Sequence, residues 1–390
     1  MRVLVNATTL HSGGGLQVAL SLIGHMLRDR RAIDWRFAVS RPVAHELAAL
    51  GLPLPADALV CGSPTRNRSA RRQLRAHAED ASADAVFTVF GPAYVRFASP
   101  HLMGVADGWT THPSQLAYRS LRGPIERLRF AARGRFKGRW YRQADAWIAE
   151  AECAAAGLSR RFGVPRSRVA VIPNACGQGF RSAAAPMSHP VGATEIRVLS
   201  IAHPYPHKNL SIIPQVAAAA RRLAPDRRLR FVLTVPQDTT DWHNLRRQSE
   251  RLRVADCIES VGRVAVADVI DLYRSTHVAL VPTLLETSTA AYPEAMAMGL
   301  PIVTPDLDFA RDACGSAAAY YPPTDSEAAA KLLLRVVESP SLWEELTDAG
   351  RERVHAMPDD TSRYERTIET LRQLVGNPSS SSSRHTRRAA

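Results

Sequence analysis

Short apolar runs alternate with amphipathic segments along almost the whole chain. Arg2–Asn6, Ile33–Ser40, Ala58–Cys61, Asp84–Phe90, His101–Ala106, Ala144–Ala149 and Val169–Pro173 are brief and apolar, and read as buried strands of a parallel sheet. Helical periodicity fills the gaps, with Leu16, Val18, Ala19, Leu22 and Leu27 on one face, then Val43–Leu50 and Asn67–Glu79. A second series begins at Ile196–Ile201 and continues through Leu229–Val235, Ile258–Val261, His277–Val281 and Pro301–Thr304. Its helices are expected near Asn209–Leu223, Trp242–Leu252, Ala267–Ser275, Ser326–Val337 and Leu342–Ala356. Strand–helix alternation of this kind builds doubly wound α/β sheets. The expected organisation is a first domain over 1–182, a linker over 183–195 and a second domain over 196–358. A helix over 360–376 is expected to pack back on the first domain, and the Ser-rich, basic tail 377–390 to be disordered.

Length and charge narrow this picture only a little. The 390 residues suffice for two or three domains, and 45% hydrophobic content supplies their cores. The net charge of +13 favours anionic partners: nucleotides, nucleic acid or an acidic membrane face. No nucleic-acid recognition motif accompanies it, so no specific nucleic acid is expected. Five scattered cysteines without a CxxC pair argue against a zinc site or a disulfide framework. The first residues read as a strand rather than a signal peptide, and no apolar run is long enough to span a bilayer. The expectation is a cytoplasmic protein, peripheral at most on the inner face of the membrane.

Candidate chemistry concentrates in Val278–Pro301. A short apolar run ends at Pro282, a polar loop holds Glu286, and a helix is expected to open at Pro293 with Glu294 in its first turn. Ligands of open α/β sheets sit outside the carboxyl ends of strands, so both glutamates are placed to meet a polar ligand; ordinary solvated loop and cap residues would look the same. Gly13–Gly15 form a glycine loop between a strand and a helix, without the lysine of a P-loop. Asp107, Trp109 and His112 crowd the end of another apolar run, where they can hold a sugar or simply make a turn and a helix start. Arg119–Arg142 carries nine basic residues against Glu126 alone, interleaved with Leu121, Ile125, Leu128, Phe130, Phe136, Trp140 and Tyr141. Such a segment either lies on an anionic membrane or packs one apolar side on the sheet.

Taken in order, these motifs resemble the retaining GT-B glycosyltransferases of family 4. The resemblance is carried by the Glu-x7-Glu spacing of Glu286 and Glu294 with Ala-Met-Ala-Met-Gly-Leu-Pro-Ile-Val after it. Val261-Gly262-Arg263-Val264, Asp268, Leu272-Tyr273, Val171-Ile-Pro-Asn174 with Phe180, and Gly13–Gly15 add to it. It implies an α/β GT-B fold of two Rossmann-like domains facing across a cleft, with a nucleotide-sugar donor in the second and a saccharide or lipid-linked acceptor on the first. By position, Glu294 would bond the donor ribose and Glu286 would lie by the sugar. Thr287, Ser288 and Thr289 would meet the diphosphate or sugar, as would Gly262, Arg263, Gly14 and Gly15, and Lys208 would neutralise the diphosphate. Asp107, Trp109 and His112 remain acceptor candidates. Glu286, Lys208 and His203 are the catalytic candidates. The sequence departs from the pattern at His203, where family members usually carry arginine, so charge on the leaving diphosphate is expected to be met by Arg263 or by a His203 kept protonated by the phosphates. It departs also at Thr287-Ser-Thr289, where glycine and an aromatic are common. No cofactor or metal is expected; Asp306-Leu-Asp308 has the spacing of a metal motif but reads as a surface loop. A non-catalytic nucleotide-binding protein and a sugar-nucleotide epimerase are the alternatives.

Overall fold

The computed structural model describes residues 1–183, 189–265 and 268–376; the proposed tail 377–390 and part of the proposed linker lie outside them. Within the first compact unit, β1 (Arg2–Ala7), β2 (Asp34–Ser40), β3 (Leu59–Cys61), β4 (Ala85–Thr88), β5 (His101–Val105), β6 (Ala146–Ala149) and β7 (Val169–Val171) form one sheet. Its order is β3-β2-β1-β4-β5-β6-β7, and every adjacent pair is parallel. Successive side chains of a strand point to opposite faces. Val3 and Val5 therefore enter one apolar core and Leu4 the other. Both faces are covered, which is why the strands read as continuous apolar runs.

The helix Asp360–Gly376 belongs to this unit. Tyr364, Ile368, Leu371 and Leu374 join the core of Val3 and Val5, and the Tyr364 hydroxyl donates to Asp29 at 2.6 Å. Arg31 grips Glu365 through both terminal nitrogens at 2.7 and 2.8 Å.

The second unit has its own parallel sheet, formed by β8 (Glu195–Ser200), β9 (Arg228–Leu233), β10 (Ile258–Ser260), β11 (Val278–Leu280), β12 (Ile302–Pro305) and β13 (Ala318–Tyr321). The order is β10-β9-β8-β11-β12-β13. Helices Ile213–Leu223 and Ser326–Glu338 contribute Val216, Ala220, Leu333 and Val337 to its core beside Val198 and Phe231. In both sheets the winding direction reverses next to the first strand, between β1 and β4 and between β8 and β11. Such a switch point opens a crevice at the carboxyl ends of the two strands.

The contact boundaries differ from those expected from the sequence. Pro113–Arg127 and everything from Ala175 to Asp359 group with the second unit. Local bonds account for this: the Cys176 thiol meets the Pro293 carbonyl at 3.5 Å, Phe180 stacks edge-on against Tyr273, and Arg122 approaches Asp241 at 3.4 Å. The helix Gln178–Ala183 ends at Ala183, the residue where the linker is expected to begin. β13 was not foreseen, nor was the helix Asp308–Cys314, whose first residue stands in the Asp306–Asp308 segment read as loop.

Candidate functional site

The switch point of the second sheet carries the loops after β8 and β11. The loop after β8 runs through His203 and ends in a short 3-10 turn, Pro206–Lys208. Asn209 closes it in a left-handed conformation, φ 52°, which an asparagine tolerates better than most residues. The His203 and Tyr205 rings stack at 4.2 Å, and Tyr205 stacks on His207 at 5.7 Å. The His207 carbonyl accepts from the Leu284 amide at 2.7 Å and from the Thr283 hydroxyl at 3.2 Å, which ties the two loops together.

Across that tie, the Lys208 ammonium donates to the Glu286 carboxylate. Thr283 donates to the same oxygen, Oε1, at 2.8 Å. Both charged side chains are largely withdrawn from water, 17% and 9% exposed, so the pair is an internal feature rather than a surface one. Thr287 is buried beside Glu286, while Ser288 and Thr289 are half-buried and Ala290 is exposed.

The helix after this loop is Ala291–Ala297, seven residues that start two positions before the expected Pro293. Tyr292 pins it: its hydroxyl pairs with Thr304 at 2.7 Å, and Thr304 donates to the Val281 carbonyl at 2.9 Å. Glu294, one turn in, accepts from the buried Tyr273 hydroxyl at 3.1 Å. Burial raises the Glu294 carboxyl above its ordinary value, and the Tyr273 bond opposes this only in part. Gly299 ends the turn with φ 69°, where a left-handed residue is required.

β10 leads into Val261, Gly262 at φ 75° and the exposed Arg263. Ser260 fixes this turn by accepting from the Gly262 amide at 3.1 Å. Arg263 and Lys208 both act on His203, whose pKa is lowered first by burial, then by Arg263; Asp241 pulls the other way, and Lys208 adds to the lowering. His203, Lys208 and Arg263 thus form one basic group at the carboxyl ends of β8 and β10, and the imidazole is its neutral member near pH 7.

Gly14 and Gly15 lie in the first unit, at the start of the helix Gly14–Arg28 beyond β1. Only Gly13 needs glycine for its backbone, φ 72°; a side-chain carbon on Gly14 would meet open space, and one on Gly15 would touch Leu10 and Phe90 at 3.5 Å. Asp107, Trp109 and His112 follow β5, also in the first unit, and each has a structural partner. Asp107 caps the helix Gly108–Thr111 and pairs with Lys137 at 2.7 Å. Burial alone would raise its carboxyl, but Lys137 holds it below the usual carboxylate range. Trp109 packs on Phe130 at 4.6 Å, and His112 bonds Thr111 at 2.8 Å with the Cys153 sulfur 3.8 Å from its other nitrogen.

Two polar residues of the second unit had no role assigned from sequence. Tyr273 stood inside the resemblance, and only its bond to Glu294 gives it a task. Thr283, three residues before Glu286, carried no signal beyond its place after Pro282. A cavity of about 230 Å³ lies at the opposite, amino-terminal ends of β8 and β9, lined by Glu195, Arg221, Arg228, Arg230 and Asp256. Its charges are spent on one another through Arg230–Glu195 and Arg221–Asp256 pairs at 2.9 and 2.5 Å, which marks it as structural.

The family model for group 1 glycosyl transferases matches residues 196–339, and that for Glycosyltransferase Family 4 matches residues 52–176. Together they take in more than half of the chain, one model in each half. Among solved structures, a glycosyltransferase from Rickettsia africae superposes with a TM-score of 0.70 at 13% identity, over 96% of this chain and 99% of that one. Anabaena HepE, solved with UDP-glucose, gives 0.70 at 14% identity over 96% and 100%. WaaG, a glycosyltransferase involved in lipopolysaccharide biosynthesis, gives 0.66 at 14% over 94% and 98%. At these identities the likeness is one of fold. No curated protein matches the chain in sequence.

Proposed function

Since the chain belongs to the family-4-like glycosyltransferases of GT-B fold, we propose that it moves a hexosyl group from a nucleotide-sugar, with retention of anomeric configuration, to a saccharide or lipid-linked acceptor in surface polysaccharide or glycolipid assembly. The observation that carries this reading is the Lys208–Glu286 pair at the β8/β11 switch point, with Glu294 one helical turn beyond the same loop. Breaking an anomeric C–O bond releases a nucleoside diphosphate and leaves a cationic sugar carbon. A site for this needs fixed positive charge at the diphosphate and a polar or negative group at the sugar.

Lys208 and Arg263 supply the first and Glu286 the second. Glu294, held by Tyr273, offers carboxylate oxygens to the vicinal ribose hydroxyls. Thr287, Ser288 and Thr289 would line the diphosphate and sugar, with Gly262 at the nucleoside end. Gly14 and Gly15 are proposed for contact with the donor, and Asp107, Trp109 and His112 for the acceptor. The charge is provided by side chains of the chain itself, so transfer without a metal ion is part of the proposal. So is a cytoplasmic location, at the face where nucleotide-sugars are found. No helix among the described residues is long and apolar enough to cross a membrane.

His203 favours a second reading. Burial and two neighbouring cations keep its ring neutral, so one expected fixed charge is missing; a nucleotide-binding member without transfer activity would tolerate that. Purified protein incubated with UDP-, GDP- and ADP-sugars separates the readings. Donor cleavage with an α-configured product from an α-linked donor supports the proposal. Binding without cleavage supports the second reading. Indifference to every donor removes both.

A further inference from the structure

Tyr273, on the helix Val269–Arg274, is 1% exposed. A phenol buried this deeply calls for a hydrogen-bond partner. Tyr141 and Tyr292, equally buried, direct their hydroxyls to neutral groups, the Gly91 carbonyl at 2.8 Å and the Thr304 hydroxyl at 2.7 Å. Tyr273 directs its own to a charge, donating to Glu294 Oε2 at 3.1 Å. The residue is held on other sides as well. Phe180 meets its ring edge-on at 5.9 Å, and the Thr276 hydroxyl donates to the Tyr273 carbonyl at 2.8 Å.

Two influences act on the Glu294 carboxyl: burial, which favours its neutral form, and the Tyr273 bond, which favours the ionised one. The charges around it are engaged elsewhere. Asp271 and Arg274 pair with each other at 3.1 Å on the exposed side of their helix, Glu286 holds Lys208, and Arg181 bonds the Val354 and Met357 carbonyls at 3.0 and 2.8 Å. The Cys176 thiol lies beside Tyr273 and bonds the Pro293 carbonyl. The tyrosine bond takes one lone pair of Oε2 and fixes the rotation of the carboxylate, which leaves Oε1 and the second lone pair of Oε2 for a ligand. Two vicinal hydroxyls need that arrangement, an ionised pair of acceptors in one plane.

We infer that Tyr273 is a positioning residue, whose hydroxyl sets the Glu294 carboxylate against both ribose hydroxyls and so makes the site select ribonucleoside over 2′-deoxyribonucleoside diphosphates. The inference rests on the proposed seat of the ribose at Glu294. A 2′-deoxyribose leaves one carboxylate oxygen without its donor, and an oxygen fixed by Tyr273 does not swing to find another. A freely rotating carboxylate would turn toward the remaining 3′ hydroxyl and tell the two sugars apart poorly.

Calorimetric titration of the full chain tests it, with UDP, GDP and ADP each set against its 2′-deoxy counterpart. For the nucleotide that binds, the wild type is expected to prefer the ribose form about tenfold at about pH 8. Tyr273→Phe keeps the ring against Phe180 and removes the hydroxyl alone, and the preference should shrink to about twofold. The preference needs an ionised Glu294, so it fades as pH falls; without the Tyr273 bond that fade should set in at a higher pH than in the wild type. Glu294→Ala should show no preference at any pH. The ratio compares two ligands of one protein, so a partial loss of folded protein does not alter it. A Tyr273→Phe variant whose preference and pH dependence match the wild type, even with uniformly weaker binding, makes the tyrosine a packing residue and overturns the inference alone. Equal binding of both sugars by the wild type, or binding of neither, overturns it together with the seat of the ribose.

Discussion

Glu286→Gln tests how the switch-point ion pair is used. In the free protein Glu286 occupies Lys208, held in place by the 2.8 Å bond from Thr283. An incoming diphosphate must share that ammonium or take it. At an effective dielectric constant near 20 and about 3 Å separation, the attraction between the pair is roughly 5 kcal/mol before desolvation is subtracted. Desolvation cancels much of this, and the glutamine amide oxygen still accepts from Lys208, so we expect a net gain of about 1–2 kcal/mol for diphosphate binding when the competing charge is removed. That is roughly five- to thirtyfold tighter binding of the nucleoside diphosphate that the donor panel selects, read by isothermal titration calorimetry. The same variant leaves Lys208 without a compensating charge in a mostly buried position, so the unliganded protein should melt lower and recover more than the wild type on adding ligand. Sugar transfer should fall by two orders of magnitude or more, because the group facing the cationic sugar is gone. Thr283→Val, which frees Glu286 without removing its charge, should move diphosphate affinity far less. Unchanged or weaker diphosphate binding by Glu286→Gln would refute the competition for Lys208.

Three further outcomes follow from the same geometry. Glu294→Gln should stabilise the free protein near pH 7: a carboxyl raised by burial binds its proton more tightly folded than unfolded, so the wild type loses stability as pH rises from the ordinary 4.5 through the raised value. Thermal melts of the two proteins should therefore converge as pH falls through that window, and a constant gap would contradict the burial argument. His203→Arg, which puts a permanent guanidinium beside Lys208, should tighten diphosphate binding about tenfold in calorimetry and raise turnover; wild-type values in both would take His203 out of the site. Gly104→Ala should cost about 3 kcal/mol in chemical denaturation, since its side-chain carbon would fall 1.8 Å from the Val89 carbonyl oxygen.

The strands were legible because both sheets are covered on both faces, which makes each strand a continuous apolar run whatever its neighbours. β13 escaped because Ala318-Ala319-Tyr320-Tyr321 lacks branched residues and starts with alanines, poor strand formers; it exists through its pairing with β12 at the sheet edge. The start of the helix at Ala291 escaped because Pro293 is a stronger start signal than Ala290, yet proline is equally at home anywhere in a first turn. Glu286 and Glu294 were legible as candidates through loop position and spacing, and Lys208 only through the resemblance to the family pattern. Their connections were not: the Thr283 and Tyr273 hydroxyls act across 3 and 21 residues, and a local pattern does not reveal which side chain a fold will turn toward them. Pattern placed Asp107, Trp109 and His112 together after β5 but did not show that capping, Lys137, Phe130 and Thr111 already engage them. The basic segment showed its charge in sequence, while its packing depended on Trp109 and Phe162 crowding Gly134 and Gly138.

The central claim, a nucleotide-sugar site on the second unit with Glu294 on the ribose, is tested most directly by titrating the selected nucleoside diphosphate into the wild type and Glu294→Ala. Loss of a charged acceptor for the ribose hydroxyls is worth about 1.5–3 kcal/mol, so affinity should drop by roughly ten- to a hundredfold while the melt of the free protein does not fall in parallel. Equal affinity in the two proteins, or no binding of any nucleoside diphosphate to the wild type, would contradict the account.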